Sequence, residues 1–117
     1  MTLSIGMVTL DTTDPRKIGG WWAEQTGGAL IDEADGWFVM VNPPNGTGPA
    51  LGFQKVDQPT PGKNRLHLDF SCPDHDAEAA RLQAAGASIV ARHDGPFGSW
   101  TVLTDPDGNH FCVTAAL

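Results

Sequence analysis

A chain of 117 residues, 40% of them hydrophobic, suffices for one compact domain and leaves no room for a second. Seven Lys and Arg against fourteen Asp and Glu give a formal charge of −7, which repels phosphate backbones and anionic lipid and argues against nucleic acid and membrane as partners. Two cysteines, Cys72 and Cys112, are too few for a disulfide framework, and the opening MTLSIGMVTL has neither the basic region nor the apolar run of a secretion signal, so the expected location is the cytoplasm.

The first segment, IGMVTLDTTDP from residue 5, alternates apolar and polar positions and stops at Asp14 and Pro15, an N-cap followed by a helix-opening proline: a strand running into a helix. Ile18, Trp21 and Trp22 give that helix one bulky apolar stripe, and TGG at 26–28 ends it. Gly19 and Gly20 weaken it, so packing by the tryptophans must hold it in place. ALIDE, WFVMV and, after the loop NPPNGTGPA, LGFQKV then read as three short strands. Beyond the Pro/Gly-rich DQPTPGK the same order returns. NRLHLDFSC is a strand, Asp74 caps a helix over HDAEAARLQAAG, and SIVARH, SWTVLT and HFCVTA are strands. The turn TDPDGN, built from residues with a conformational reason to be there, feeds the last of them.

A shift of 60 positions sets Asp74 on Asp14 and His67 on Met7, so the chain reads as two copies of one βαβββ unit. The expectation is one α+β domain over residues 1–117, with a module at about 3–56, a linker at 57–63 and a second module at about 64–116. Strand parity puts Leu66, Leu68 and Phe70 on the helix side and Arg65, His67 and Asp69 on the other, with Met7 and Thr9 as their counterparts in the first module. In the last strand His110, Cys112 and Thr114 share the polar side, and setting Phe53 on Phe111 matches Gln54 with Cys112. Met7, Gln54, His67 and Cys112 are then the related inward positions of a shared hollow. Trp100 is an aromatic candidate for its wall, Phe97 for a gate, and His75, His93 and His110 read as exposed.

The paired modules, NRLHLDF opening the second and LTDPDGNHFCV closing it, together resemble the vicinal oxygen chelate superfamily, in particular its glyoxalase-like and bleomycin-resistance-like proteins. The resemblance implies a curved, cup-shaped mixed sheet with helices outside, a small-molecule ligand beside a divalent metal in many members, and a homodimer. The family's metal positions fall on Met7, Gln54, His67 and Cys112, of which only His67 is a match. Sulfur at two of the four disfavours Mg²⁺ or Mn²⁺, so no metal of the usual kind is expected, with His67, Gln54 and Cys112 the only candidates to hold one. Two functions compete. One is a glyoxalase-like lyase or isomerase acting on a small oxygenated metabolite, with His67 as its catalytic residue and Met7, Thr9, Gln54, Arg65, Asp69, Trp100 and Cys112 binding the ligand. The other is a non-catalytic protein that sequesters an antibiotic or metabolite.

Overall fold

The computed structural model describes residues 2–96 and 98–115, so the expected gate at Phe97 lies outside the described residues. The chain divides into two compact units, one up to Thr60 and one from Pro61 onward. The first holds β1 (Met7–Thr12), α1 (Pro15–Thr26), β2 (Ala29–Ile31), β3 (Phe38–Asn42) and β4 (Ala50–Lys55). The second holds β5 (Leu68–Ser71), α2 (His75–Ala84), β6 (Ser88–Gly95), β7 (Gly98–Thr104) and β8 (His110–Thr114). Each unit forms a four-stranded sheet, in the order β1-β4-β3-β2 and β5-β8-β7-β6. In each, the first strand runs parallel to the last and the remaining pairs are antiparallel. The α+β fold of two tandem βαβββ modules is therefore present as read from the repeat.

The helices start where the capping chemistry demands. The Asp14 carboxylate accepts from the Lys17 N–H at 3.2 Å with Pro15 at the first helical position, and Asp74 accepts from the Ala77 N–H at 3.1 Å. α1 ends on Gly27, whose φ of 70° is the left-handed conformation that glycine adopts without steric cost. Helix-to-sheet packing follows the repeat. Gly19 and Trp22 of α1 are buried, and so are Ala79 and Leu82 sixty positions on, a small residue at the closest approach and a large one a turn later. At Gly19 the contact is tight, since an added Cβ would stand 2.6 Å from the Val39 methyl and 3.3 Å from Phe53. The glycine that weakens α1 is what lets it reach the sheet. Val39, Val41 and Phe53 complete the first core with Ile18; Leu103, Phe111 and Val113 complete the second with Leu82.

Three expectations fail. Leu66 is 68% exposed rather than packed under the helix, because β5 begins at Leu68, paired with Phe111, and the residues before it have no strand beside them. His75, expected on the surface, is buried at the start of α2 with Nδ1 3.2 Å from the Thr101 hydroxyl. His110 is half-buried at the start of β8 rather than solvent-facing, and its Nδ1 is enclosed with no hydrogen-bond partner among the described residues. The turn before it is organised by one buried carboxylate. Asp105 accepts from the N–H groups of Asp107 and Asn109 at 3.0 and 2.9 Å and from the Asn109 side-chain amide at 3.0 Å.

Candidate functional site

Successive residues of a strand point to opposite faces, so burying Thr101, Leu103, Phe111 and Val113 beneath α2 turns Trp100, Val102, His110, Cys112 and Thr114 the other way. A pocket of about 540 Å³ lies on that face, wholly within the second unit. Register builds its floor as a row. Asp69 of β5 is paired with Cys112 of β8, and Cys112 with Val102 of β7. Trp100 and Thr114 pair in the next row and form the apolar wall and its polar edge. Trp100 is 36% exposed, and the ring of His93, its cross-strand partner on β6, stacks on it at 5.1 Å between centroids. Lys63 brings one cation to the lining.

His67 stands just before β5, and its Nδ1 is 2.9 Å from Asp69 Oδ1. A carboxylate only accepts, so Nδ1 is the donor in this contact, and in the neutral ring Nε2 then offers a lone pair. Asp69 also takes a hydrogen bond from the Cys112 thiol; burial first, and the Asp69 charge and hydrogen bond next, push that thiol above its ordinary range, with Lys63 opposing. Cys112 is thus a protonated donor at neutral pH, not a thiolate nucleophile. The donor atoms of His67, Asp69 and Cys112 all lie within 4.8 Å of one another.

Segment 64–67 has no strand partner, and Asn64 supplies the missing anchorage. Its Oδ1 accepts the His110 N–H at 2.7 Å, while its Nδ2 donates to the carbonyls of His110 at 2.9 Å and Leu66 at 2.7 Å. The amide thereby ties the backbone that carries His67 to the strand that carries His110 and Cys112.

Of the residues expected in the site, His67, Asp69, Trp100 and Cys112 come together here; Arg65 is exposed and does not line the pocket. Met7, Thr9 and Gln54 belong to the first unit. There the Met7 sulfur, the Thr9 hydroxyl and the Phe38 ring close over Gly52, each about 3 Å from where a Cβ would stand. Val8 pairs with Leu51 and Leu68 with Phe111, so the counterpart of Cys112 is Gly52, and exposed Gln54 lies two residues further along β4. Lys63, Val102, His110 and Thr114 were not singled out as site residues, although the parity that placed Cys112 on the polar face also places His110 and Thr114 there. The metal that such a fold implies finds no carboxylate at Met7 or Gln54. The imidazole, carboxylate and thiol of His67, Asp69 and Cys112 in the second unit suit a borderline ion of the Zn²⁺ class and not Mg²⁺ or Mn²⁺.

Residues 7–114 match the model of the glyoxalase-like domain. The chain belongs to the glyoxalase-like domain family. CFP32 of Mycobacterium bovis is 41% identical over 61 residues, a stretch covering 50% of this glyoxalase-like chain and 23% of that protein. The chain therefore spans under a quarter of the curated relative it matches. Among solved structures, a glyoxalase/bleomycin resistance protein/dioxygenase family enzyme from Burkholderia phytofirmans superposes with a TM-score of 0.82 at 19% identity, covering 98% of this chain and 100% of that one. TnmS3, an antibiotic binding protein from Streptomyces sp. CB03234, superposes with a TM-score of 0.72 at 25% identity, covering 97% of each chain. The two-module fold is that of the glyoxalase, bleomycin resistance and dioxygenase proteins.

Proposed function

We propose that this glyoxalase-like chain captures a small planar organic molecule in the pocket of its second unit and releases it unchanged, as a cytoplasmic homodimer. The observation that carries this reading is the pocket's division into an apolar Trp100–Val102 wall and a polar His67–Asp69–Cys112 row. About 540 Å³ falls within the range of pockets that enclose a drug-sized ligand, and an aromatic wall with a few converging polar groups is how such pockets hold one. The polar row is closed on itself by hydrogen bonds and its thiol is protonated, which favours recognition over reaction. The likeness to TnmS3, itself described as antibiotic binding, points the same way. For the oligomer, a two-fold pair is the commonest association of soluble chains.

The test is a tryptophan-fluorescence titration with bleomycin, an acridine dye and an aminoglycoside. At least one planar compound is expected to bind, with affinity reduced tenfold or more in Trp100→Ala and the compound recovered intact. Absence of binding by all three, or binding indifferent to Trp100, contradicts the reading.

One observation favours a second reading. Asp69 fixes the His67 tautomer with Nε2 free, the arrangement of an oriented general base, as a glyoxalase-like lyase or isomerase needs. That reading expects turnover of the hemithioacetal of methylglyoxal and glutathione, abolished in His67→Ala and kept in Met7→Ala.

A further inference from the structure

From the convergence of His67, Asp69 and Cys112 in the second unit, we propose that this unit alone binds one thiophilic divalent cation of the Zn²⁺ class. The proposal rests on the same pocket as the proposed function but not on any organic ligand. Two of the four strand positions that the superfamily resemblance marks for a metal, Met7 and Gln54, take no part. Asp69, which lies at none of the four, supplies the charge they lack.

Geometry and chemistry both point there. Asp69 is the hub, hydrogen-bonded to the His67 imidazole at 2.9 Å and to the Cys112 thiol. In each of those bonds a proton occupies the space between two donor atoms that a cation would fill. Bond lengths of about 2.0–2.3 Å to nitrogen, oxygen and sulfur in a tetrahedron separate donor atoms by roughly 3.3–3.6 Å. The His67–Asp69 pair is already shorter than that, and the widest separation in the cluster is within 4.8 Å, so the set closes by small side-chain rotations. The His67 and Asp69 side chains are 45% and 44% exposed and free to make them.

A neutral imidazole, a carboxylate and a thiolate make a borderline-to-soft set that suits Zn²⁺ and leaves Mg²⁺ with too few oxygens. Three protein donors also leave a fourth position open toward the pocket, as in zinc sites that act on a ligand rather than brace a fold. The proton balance is definite. The thiol gives up its proton to solvent as the metal–sulfur bond forms, and the imidazole proton shifts from Nδ1 to Nε2, so one proton leaves per cation bound.

The experiment uses the full chain, purified without an affinity tag and freed of metal with a chelator. Co²⁺ is added as an optical probe and Zn²⁺ is titrated by calorimetry. One equivalent of Zn²⁺ is expected to bind, Co²⁺ to give the near-ultraviolet thiolate charge-transfer band, and Mg²⁺ to give no heat. Cys112→Ser should abolish the band, and Asp69→Asn should weaken Zn²⁺ at least tenfold, with Met7→Ala as the unaffected control. Circular dichroism of each variant separates lost binding from lost fold; should Cys112→Ser unfold, Asp69→Asn alone decides. No stoichiometric Zn²⁺ in the wild type, or Zn²⁺ binding unchanged in Asp69→Asn, overturns the proposal. Planar-ligand binding that survives such a failure leaves the proposed function standing, whereas Zn²⁺ binding without any organic ligand leaves this inference standing alone.

Discussion

Single residues here act through the groups they satisfy. Asp105 is buried and accepts from the N–H groups of Asp107 and Asn109 and from the Asn109 side-chain amide, which holds the turn ahead of β8, so removing it strands several donors at once. Asp105→Ala is expected to cost about 3 kcal/mol in urea denaturation, the scale of hydrogen bonds to a charged group plus the donors left unpaired. At Cys112 the dominant effect is burial and the second is Asp69. Asp69→Asn removes the carboxylate charge that disfavours the thiolate. With chelator present, Cys112 should then react faster with a disulfide reagent at pH 8 than in the wild type, and an unchanged rate would show that burial alone sets its reactivity. Single positions were the least legible part of the sequence. His67, Asp69, Trp100 and Cys112 came from parity, which needs only a strand. His75 was misread because a helix start resembles a surface from sequence alone, although Pro15, sixty positions earlier, is also buried in the structure.

At the scale of elements the sequence was nearly transparent, because caps, turn residues and period-two alternation are local. All eight strands and both helices form where the patterns placed them, with ends moved by a residue or a few. Leu66 shows where locality stops. Alternation continues into NRLHLDF, but a strand exists only where a partner runs beside it, and that depends on residues more than forty positions away. Asn64 was invisible for the same reason, since its partner is His110. Asn64→Ala should destabilise the chain by about 2–3 kcal/mol, from two part-buried hydrogen bonds to His110 each worth about 1 kcal/mol net and a weaker exposed one to Leu66. Histidine NMR should show the His67 and His110 ring signals shifting together. Gly19→Ala sets two effects against each other. Alanine gains up to about 1 kcal/mol of helix propensity, but its methyl meets Val39 at 2.6 Å with Phe53 and Leu30 close behind. Overpacking costs about 1–3 kcal/mol, so the variant should be less stable, and a more stable one would mean that α1 shifts freely on its sheet.

For the whole molecule the balance of charge decides how stability follows pH. Arg16 beside Asp32 and Arg92 beside Asp76 hold those carboxyls below the usual range, and the Ser99 hydroxyl does the same for Asp94. A depressed carboxyl contributes stability that is complete above its unfolded value, about 4, and is lost as pH falls through the folded one. Cys72 and Cys112 are raised chiefly by burial, and their contribution fades as pH climbs past the ordinary thiol range. The urea midpoint should therefore be flat between about pH 5 and 8, fall below about 4, and fall again above about 9. The acid limb should be shallower in Arg92→Gln, and modest throughout because these pairs are solvent-exposed. The two-module architecture followed from the repeat, while the pocket's make-up did not, since parity assigns faces but not the rows that register creates. The central claim, that the polar face of the second unit is a binding site, is tested most directly by amide and indole NMR of the full chain during titration with the acridine dye. Saturable shifts should concentrate on Trp100, Val102, Cys112, Thr114 and Asp69. Shifts confined to other residues, or none at millimolar dye, would contradict it.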